Sequence, residues 1–571
     1  MDDRIWLRSY PDDVPESLAP YPEYSLYEFL ENAATRFPDR PATAFFGAHM
    51  TYAQLEDHVK RFAAAMAAAG VNKGDRIGLI LPNCPQYVIA YYGALRIGAI
   101  AVGNNPLYTH RELSHQLSDA GCKVIVALDQ LYPTLAAIRD DLPMLERVVV
   151  TRITDYMKAP LKWLAPLKFR RDAKATGQPW PPVPAGAAVS WWTDMMAEPN
   201  PVPPVAEVDA RNDVAALVYT GGTTGLAKGT MLSHYNLVAN CIQGRAWFPD
   251  LRDGEESSMC LLPFFHSYGM TVVMNTGILL AGKLILIPRP SDMDHVLKDI
   301  AKEQPTLLPG IPRLYISVTD AAAKKGVDLS SIRACFSGAA KLPQAVAERF
   351  EAATGGKIAE GFGMTESSPV THANPINGVR KVGSIGLPFP DTDCRIVDLG
   401  HRDREVGIGE EGELWVSGPQ VMLGYWNRPE ETANVITGEW LHTGDVAKMD
   451  EDGYFYIVDR IKEMIIVSGF NVYPTEVEEV LYRHPKVAKA AVIGVPDDTT
   501  GEAVKAFIVL REGETATTDE IVTWCRDPEV GVTRYRIPKQ IEFRDSIPET
   551  MTGKVLRRVL VEEDRQARAA S

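Results

Sequence analysis

An α/β fold with largely parallel sheets, ending in a small α+β unit, is the architecture that this 571-residue sequence predicts. Three observations carry the expectation. Short apolar runs closed by turn residues, such as "RIGLILP" and "KVIVALD", have the length of buried strands. Segments with helical spacing stand between such runs; "TYAQLEDHVKRFAAAMAAAG" is the clearest, with Gly70 as its stop. Alternation of the two patterns is the mark of α/β domains. A chain this long exceeds one hydrophobic core, so two or more domains are expected.

In chain order, the opening "MDDRIWLRSYPDDVPESLAPYP" has no apolar h-region, and no signal peptide is expected. The longest apolar stretches, "YVIAYYGALRIGAIAVG" and "GILLAGKLILIP", are interrupted by Arg96 and Lys283. Neither suits a bilayer span, so a cytoplasmic location is expected. Residues 155–205 are rich in Pro and Trp. From Lys158 to Lys174 the positive residues Lys158, Lys162, Lys168, Arg170, Arg171 and Lys174 are opposed only by Asp172. Such a run could rest on anionic lipid at the inner face of a membrane. A solvated surface insertion is the preferred reading, because charge runs usually face water. Further on, "DRIKEM" separates the strand-like "GYFYIV" and "IIVSGF". After it come "TEVEEVLYRH" as helix, "VAKAAVIGVP" and "AVKAFIVL" as strands, "TDEIVTWCR" as helix and "QIEFRD". That is enough for a separate small domain. The expected division is 1–458, a linker at 459–464, and 465–571. No internal repeat is found.

The net charge of -15 argues against nucleic acid as a partner, since phosphate backbones select basic surfaces. Seven scattered cysteines without a CxxC read as free thiols, not as a disulfide framework or zinc site.

Chemistry concentrates in four stretches. "YTGGTTGLAKGT" follows the apolar "DVAALV" and precedes Ser233, a candidate helix N-cap. Glycines allow backbone N–H groups to approach phosphate oxygens; Thr223, Thr224 and Lys228 add donors and charge. It is not a Walker A loop, because Lys228 follows Ala227 and precedes Gly229. A literal GxGxxG at Gly407, Gly409 and Gly412 has no preceding strand and carries Glu410 and Glu411, so it reads as a turn. In "AEGFGMTESSP", Phe362 could stack on a planar ligand, and Glu366 beside Thr365 is a hard oxygen donor suited to Mg²⁺. In "WLHTGDVAKMDEDGY", Asp445 in a Thr-Gly-Asp turn could accept a ribose diol or simply form an Asx turn. In "PETMTGKVLRR", Gly553 gives mobility and Lys554 is a point charge on a long stem.

Together with "LPFFHSYGM", "GELWVSGPQVMLGY" and "DRIKEMIIVSGFNVYP", these stretches occur in an order that resembles the adenylate-forming superfamily of acyl-CoA synthetases and luciferases. Within it the chain is most similar to bacterial long-chain fatty-acid–CoA ligases, over nearly its whole length. The resemblance implies a large N-terminal domain of α/β subdomains plus a small β subdomain, with a small mobile α+β C-terminal domain. It implies fatty acid, ATP and CoA as substrates and Mg²⁺ as cofactor. Thr220, Gly221, Gly222, Thr223, Thr224, Gly225 and Lys228 would hold pyrophosphate, and Thr220 with Glu366 would hold Mg²⁺. Gly338, Ala339 and Ala340, and Glu360, Gly361, Phe362 and Gly363, would line adenine, with Thr365 adjoining. Asp445 and Arg460 would hold the ribose. Lys554 would bridge carboxylate and α-phosphate. His266 and Met270 would border the acyl pocket. Lys462 is the implied hinge, after whose rotation Ser468, Gly469 and Phe470 meet CoA. Members are often dimers, so a homodimer is also implied.

The chain departs from the pattern at Gly222 and Ala227, where many members have Ser and Pro, and at Phe362, where Tyr is common. Met270 stands where some long-chain members have an aromatic gate, and "CRDPEVGVTRYRIPK" gives no basis for a CoA contact. Other readings are a fatty acyl-AMP ligase delivering to a carrier protein, a medium-chain or aryl acyl-CoA ligase, and a non-catalytic relic. Intact Glu366, Asp445 and Lys554 oppose the last.

Overall fold

Thr51 starts the helix Tyr52–Ala68: its hydroxyl accepts from the Gln54 amide and the Gln54 side chain returns the bond. Two residues past the helix, Gly70 takes φ +82°, which only glycine adopts without strain. This helix packs on Pro85–Arg96, buried along its whole length. At their contact a Cβ on Gly93 would sit 2.5 Å from the Phe62 ring. The apolar stretch considered above for a bilayer is therefore interior helix followed by the strand Ile100–Gly103.

The structure is a computed structural model describing residues 4–165, 171, 183, 186, 188–220, 227–468, 470–497, 499–527, 532–550 and 555–570. It divides into two units, Ser9–Asp393 with Ser417–Leu441, and Met1–Arg8 with Cys394–Val416 and His442–Ser571.

The larger unit holds a mixed sheet. Val189–Trp191, Arg147–Thr151, Cys122–Leu128, Arg76–Ile80, Ile100–Gly103 and Val214–Thr220 lie side by side and parallel. Lys228–Ser233 then pairs antiparallel with Val214–Thr220, and Gly424–Tyr425 antiparallel with Lys228–Ser233. A second sheet runs Ser257–Cys260, Lys283–Leu286, Pro41–Phe45, Ala48–Thr51. Bridges at Leu307 join it to Ala334–Ser337, which continues to Lys357–Gly363, Val370–Ala373 and Leu387–Pro388.

In the smaller unit, Asp393–Val397, Gly412–Ser417, Trp440–Met449 and Phe455–Arg460 form a β layer. The C-terminal α+β pattern is present: helix Pro474–Tyr482, long paired strands Val487–Asp497 and Gly501–Leu510, helix Thr518–Arg526 and strand Gln540–Phe543. The "GIGEEG" stretch is a turn, closed by the Gly407 amide donating to Glu410 Oε2 at 3.0 Å. All seven cysteines are buried and unpaired in disulfides.

Candidate active site

The glycine-rich stretch is flanked by two antiparallel strands. Val214–Thr220 leads in and Lys228–Ser233 leads out, with Thr220 opposite Lys228. This corrects the expectation of strand, loop and helix: a strand intervenes, and Ser233 caps His234–Trp247 a full strand away from the loop. Gly221, Gly222, Thr223, Thr224 and Gly225 lie outside the described residues, as do Gly469, Lys554, Lys168, Arg170, Asp172 and Lys174.

Lys228 is half-buried and ion-paired with Glu431, and its ammonium sits 4.9 Å from the centre of the Tyr425 ring. The Tyr425 hydroxyl donates to Glu366 Oε1 at 2.7 Å. Both Tyr425 and Glu366 are under a tenth exposed. Burial, followed by the Glu366 charge, pushes the phenol far above its ordinary pKa, so it stays a donor. Tyr425 and Glu431 were not singled out by sequence reasoning. Tyr425 stands within the quoted "VMLGY", but nothing in that string says that it reaches across to Glu366.

A buried carboxylate with one neutral donor calls for a cation. Among the described residues Glu366 Oε2 takes no hydrogen bond. No cluster of three or more His, Cys, Asp or Glu able to hold a metal occurs among the described residues. A hard cation here would have one carboxylate and otherwise substrate oxygens, which is how Mg²⁺ sits on polyphosphates. The donor set therefore fits.

Two further segments meet the same place. Ser267 Oγ lies 3.2 Å from Thr365 Oγ1, which ties the His266 segment to the Thr365–Glu366 segment. His266 is exposed and Met270 buried, at either side of the turn into the π-helix Tyr268–Asn275. The two stretches implied for adenine are neighbours: Ser337 stands opposite Glu360. Gly338 is buried, whereas Ala339, at φ +66°, and Ala340 are exposed. Glu360 accepts from the Leu342 amide at 2.8 Å, and burial raises its pKa to about 7. Phe362 is half-buried and edge-on to His372. Its flanking glycines serve close chain crossings, since a Cβ would come within 2.2 Å of the Phe336 ring at Gly361 and 2.0 Å of the Pro369 carbonyl oxygen at Gly363.

An apolar cavity of about 60 Å³, partly open to solvent, adjoins these segments. Thr271 and Val272, Ala334 to Phe336, and Val370 line it. Neither His266 nor Met270 is among the lining residues.

In the smaller unit Asp445 and Arg460 face each other across paired strands, with Asp445 Oδ1 2.8 Å from Arg460 Nε. Thr443–Asp445 is not a turn. It runs inside the strand Trp440–Met449, kinked at Gly444 with φ +71°. Lys462 is exposed in the single turn Ile461–Glu463. Ser468 is exposed, and Phe470 stacks on Tyr535 with ring centres 4.8 Å apart.

The AMP-binding enzyme family matches residues 30–426, and the AMP-binding enzyme C-terminal domain matches 476–554. The chain belongs to the AMP-binding enzyme family. It is 44% identical over 559 residues to a long-chain-fatty-acid–CoA ligase of Bacillus subtilis (strain 168), covering 98% of each chain. Among solved structures it resembles an anthranilate CoA ligase in complex with anthranoyl-AMP, with TM-score 0.81, 27% identity, and coverage of 96% of this chain and 98% of that one. It also resembles the Mycobacterium tuberculosis fatty acyl CoA synthetase, with TM-score 0.72, 27% identity, and 94% and 98% coverage.

Proposed function

We propose that this member of the AMP-binding enzymes is an ATP-dependent long-chain fatty-acid–CoA ligase. The acid and ATP give acyl-AMP and pyrophosphate; CoA then takes the acyl group and AMP leaves. One observation carries the reading. The segments that bear the polar site residues also wall the apolar cavity: Thr271 follows His266 and Ser267, Phe336 runs into Gly338, and Val370 follows Glu366. An acid whose carboxylate lies by the polar residues therefore has an apolar space for its chain.

The chemistry assigns the parts. A carboxylate is a poor electrophile, and adenylation gives it a leaving group. Amides of the loop Gly221 to Gly225, with Lys228, would hold the departing pyrophosphate. Thr220 and Glu366 would hold Mg²⁺, which when bound offsets polyphosphate charge. Gly338 to Ala340 and Glu360 to Gly363 would border adenine, with Asp445 and Arg460 on the ribose. Lys554 would neutralise the transferring phosphate, His266 would lie by the acyl carboxylate, and Met270 would border the chain. We further propose rotation about Lys462, separating 1–458 from 465–571, which presents Ser468, Gly469 and Phe470 to CoA.

Membrane contact is a part of the same proposal. Leu161, Trp163 and Leu164 are 44%, 69% and 56% exposed beside Lys158 and Lys162. Apolar side chains exposed among cations suit an anionic interface. Among the described residues no helix is long and apolar enough to cross a membrane.

The test is pyrophosphate release over fatty acids of graded length, with and without CoA. Release with long-chain acids, and acyl-CoA when CoA is added, is expected. No release with any acid refutes the reading. Adenylate that never passes to CoA would mark an acyl-AMP ligase, and faster turnover of aromatic or medium-chain acids would mark that alternative class.

A further inference from the structure

Two glycines line the apolar cavity, and packing explains only one of them. A Cβ on Gly277 would come 2.6 Å from Leu284 Cδ2, so the fold itself demands glycine there. Gly244 is different. It lies inside the helix His234–Trp247 and does not take a left-handed φ. Among the described residues, a Cβ on it would meet no side chain, and no backbone of another element, within 4 Å. A glycine within a helix shifts the folding equilibrium roughly two- to fivefold against alanine. Neither backbone conformation nor packing offsets that loss.

The direction of the missing side chain follows from its neighbours. Residues four apart on a helix share a face. Asn240 and Phe248, one turn to either side of Gly244, both line the cavity. Asn240 Nδ2 donates to the Val370 carbonyl at 2.8 Å, and the Phe248 ring meets Phe336 edge-on with ring centres 6.2 Å apart. Val370 and Phe336 are themselves walls of the cavity. The helix therefore crosses the cavity on Asn240 and Phe248, and Gly244 leaves a gap between them. With only about 60 Å³ free, any side chain at this position would occupy space that an acyl chain needs.

We infer that Gly244 is a specificity-determining residue: the space of its absent side chain admits the longer acyl chains. The inference rests on the ligase reading above and assigns the control of chain length within it. Each methylene kept out of apolar surroundings loses about fourfold in binding. A side chain that excludes two or more methylenes thus lowers the use of long acids by roughly tenfold or more, and it leaves acids too short to reach it unaffected.

The experiment measures kcat/KM over the even saturated acids from hexanoate to octadecanoate in the wild type, Gly244→Ala, Gly244→Val and Gly244→Leu, with the melting midpoint of each. The ratio for hexadecanoate over octanoate should fall in that order, by roughly tenfold or more in Gly244→Leu, while octanoate stays within about threefold of wild type. Gly244→Ala should melt no lower than wild type, because alanine favours a helix. An unchanged ratio, or a loss equal at every chain length, overturns the inference alone. So does a Gly244→Ala that melts lower, or a Gly244→Leu that does not fold, since either would show that the fold requires glycine here. Absence of turnover of every acid by the wild type overturns the ligase reading and this inference with it.

Discussion

Removing one oxygen tests the arrangement around Glu366. Tyr425→Phe deletes the donor 2.7 Å from Glu366 Oε1 and keeps the ring that lies 4.9 Å from the Lys228 ammonium. A hydrogen bond to a charged group is worth about 1.5–3 kcal/mol. Both partners are under a tenth exposed, so water replaces the lost donor poorly and the full range applies. If Glu366 acts in adenylation, that energy is a fall of roughly 10- to 100-fold in acyl-adenylate formation. The assay is ATP–pyrophosphate exchange with saturating fatty acid over a range of Mg²⁺ concentrations. The deficit should shrink as Mg²⁺ rises, because the unsupported carboxylate binds cations more weakly. Thioester formation from supplied acyl-adenylate should be spared. Tyr425→Leu, which also removes the ring beneath Lys228, should be worse. An unchanged exchange rate, or equal loss in both half-reactions, would refute the reasoning.

Glu360 has a folded pKa near 7, raised by burial from 4.5, so its ionisation opposes folding. Its stabilising contribution is complete below about pH 4.5 and is lost as pH rises through 7. Glu360→Gln should therefore gain on wild type over that interval by an amount of order 3 kcal/mol, and then level off. Unfolding midpoints from pH 4.5 to 8.5 check it, and a constant difference would show that Glu360 does not titrate there. Lys554→Ala should lower adenylate formation roughly 10²–10³-fold while largely sparing thioesterification, measured as separate half-reactions. Trp163→Ser with Leu164→Ser should reduce co-sedimentation with anionic liposomes; unaltered binding ends the lipid proposal.

Much of the fold was legible because its signals are local. "KVIVALD" and "QIEFRD" are strands, and Thr51 with Gln54 writes a capping box into four residues. The C-terminal elements read correctly in order for the same reason. What escaped depends on partners distant in sequence. Lys228–Ser233, with a glycine and no apolar alternation, is a strand because it lies between Val214–Thr220 and Gly424–Tyr425. Asp445 looks like a turn residue, yet pairing with Phe455–Arg460 extends it, and one positive φ at Gly444 absorbs the kink. The motifs singled out Glu366 and Lys228. Tyr425, about sixty residues beyond Glu366, is brought to both only by the sheet edge on which Gly424–Tyr425 pairs.

The two ion pairs at proposed nucleotide contacts should answer mutation in opposite ways. Lys228 and Glu431 are 26% and 37% exposed, so their attraction is screened and worth at most about 1 kcal/mol. A polyphosphate carries several charges and can displace such a carboxylate, after which Lys228 binds phosphate instead. Asp445 is 3% exposed and Arg460 34%. A ribose brings only hydroxyls and cannot take the place of that guanidinium; it would add to the pair while Arg460 stays. Glu431→Gln should therefore shift KM for ATP by threefold or less and leave the melting midpoint unchanged. Arg460→Met removes the cation 2.8 Å from the buried Asp445 carboxylate and should cost about 3 kcal/mol of stability. Equal effects of the two substitutions on melting would mean that burial does not separate the pairs, and the distinction between an exchangeable and a resident counter-ion would fall.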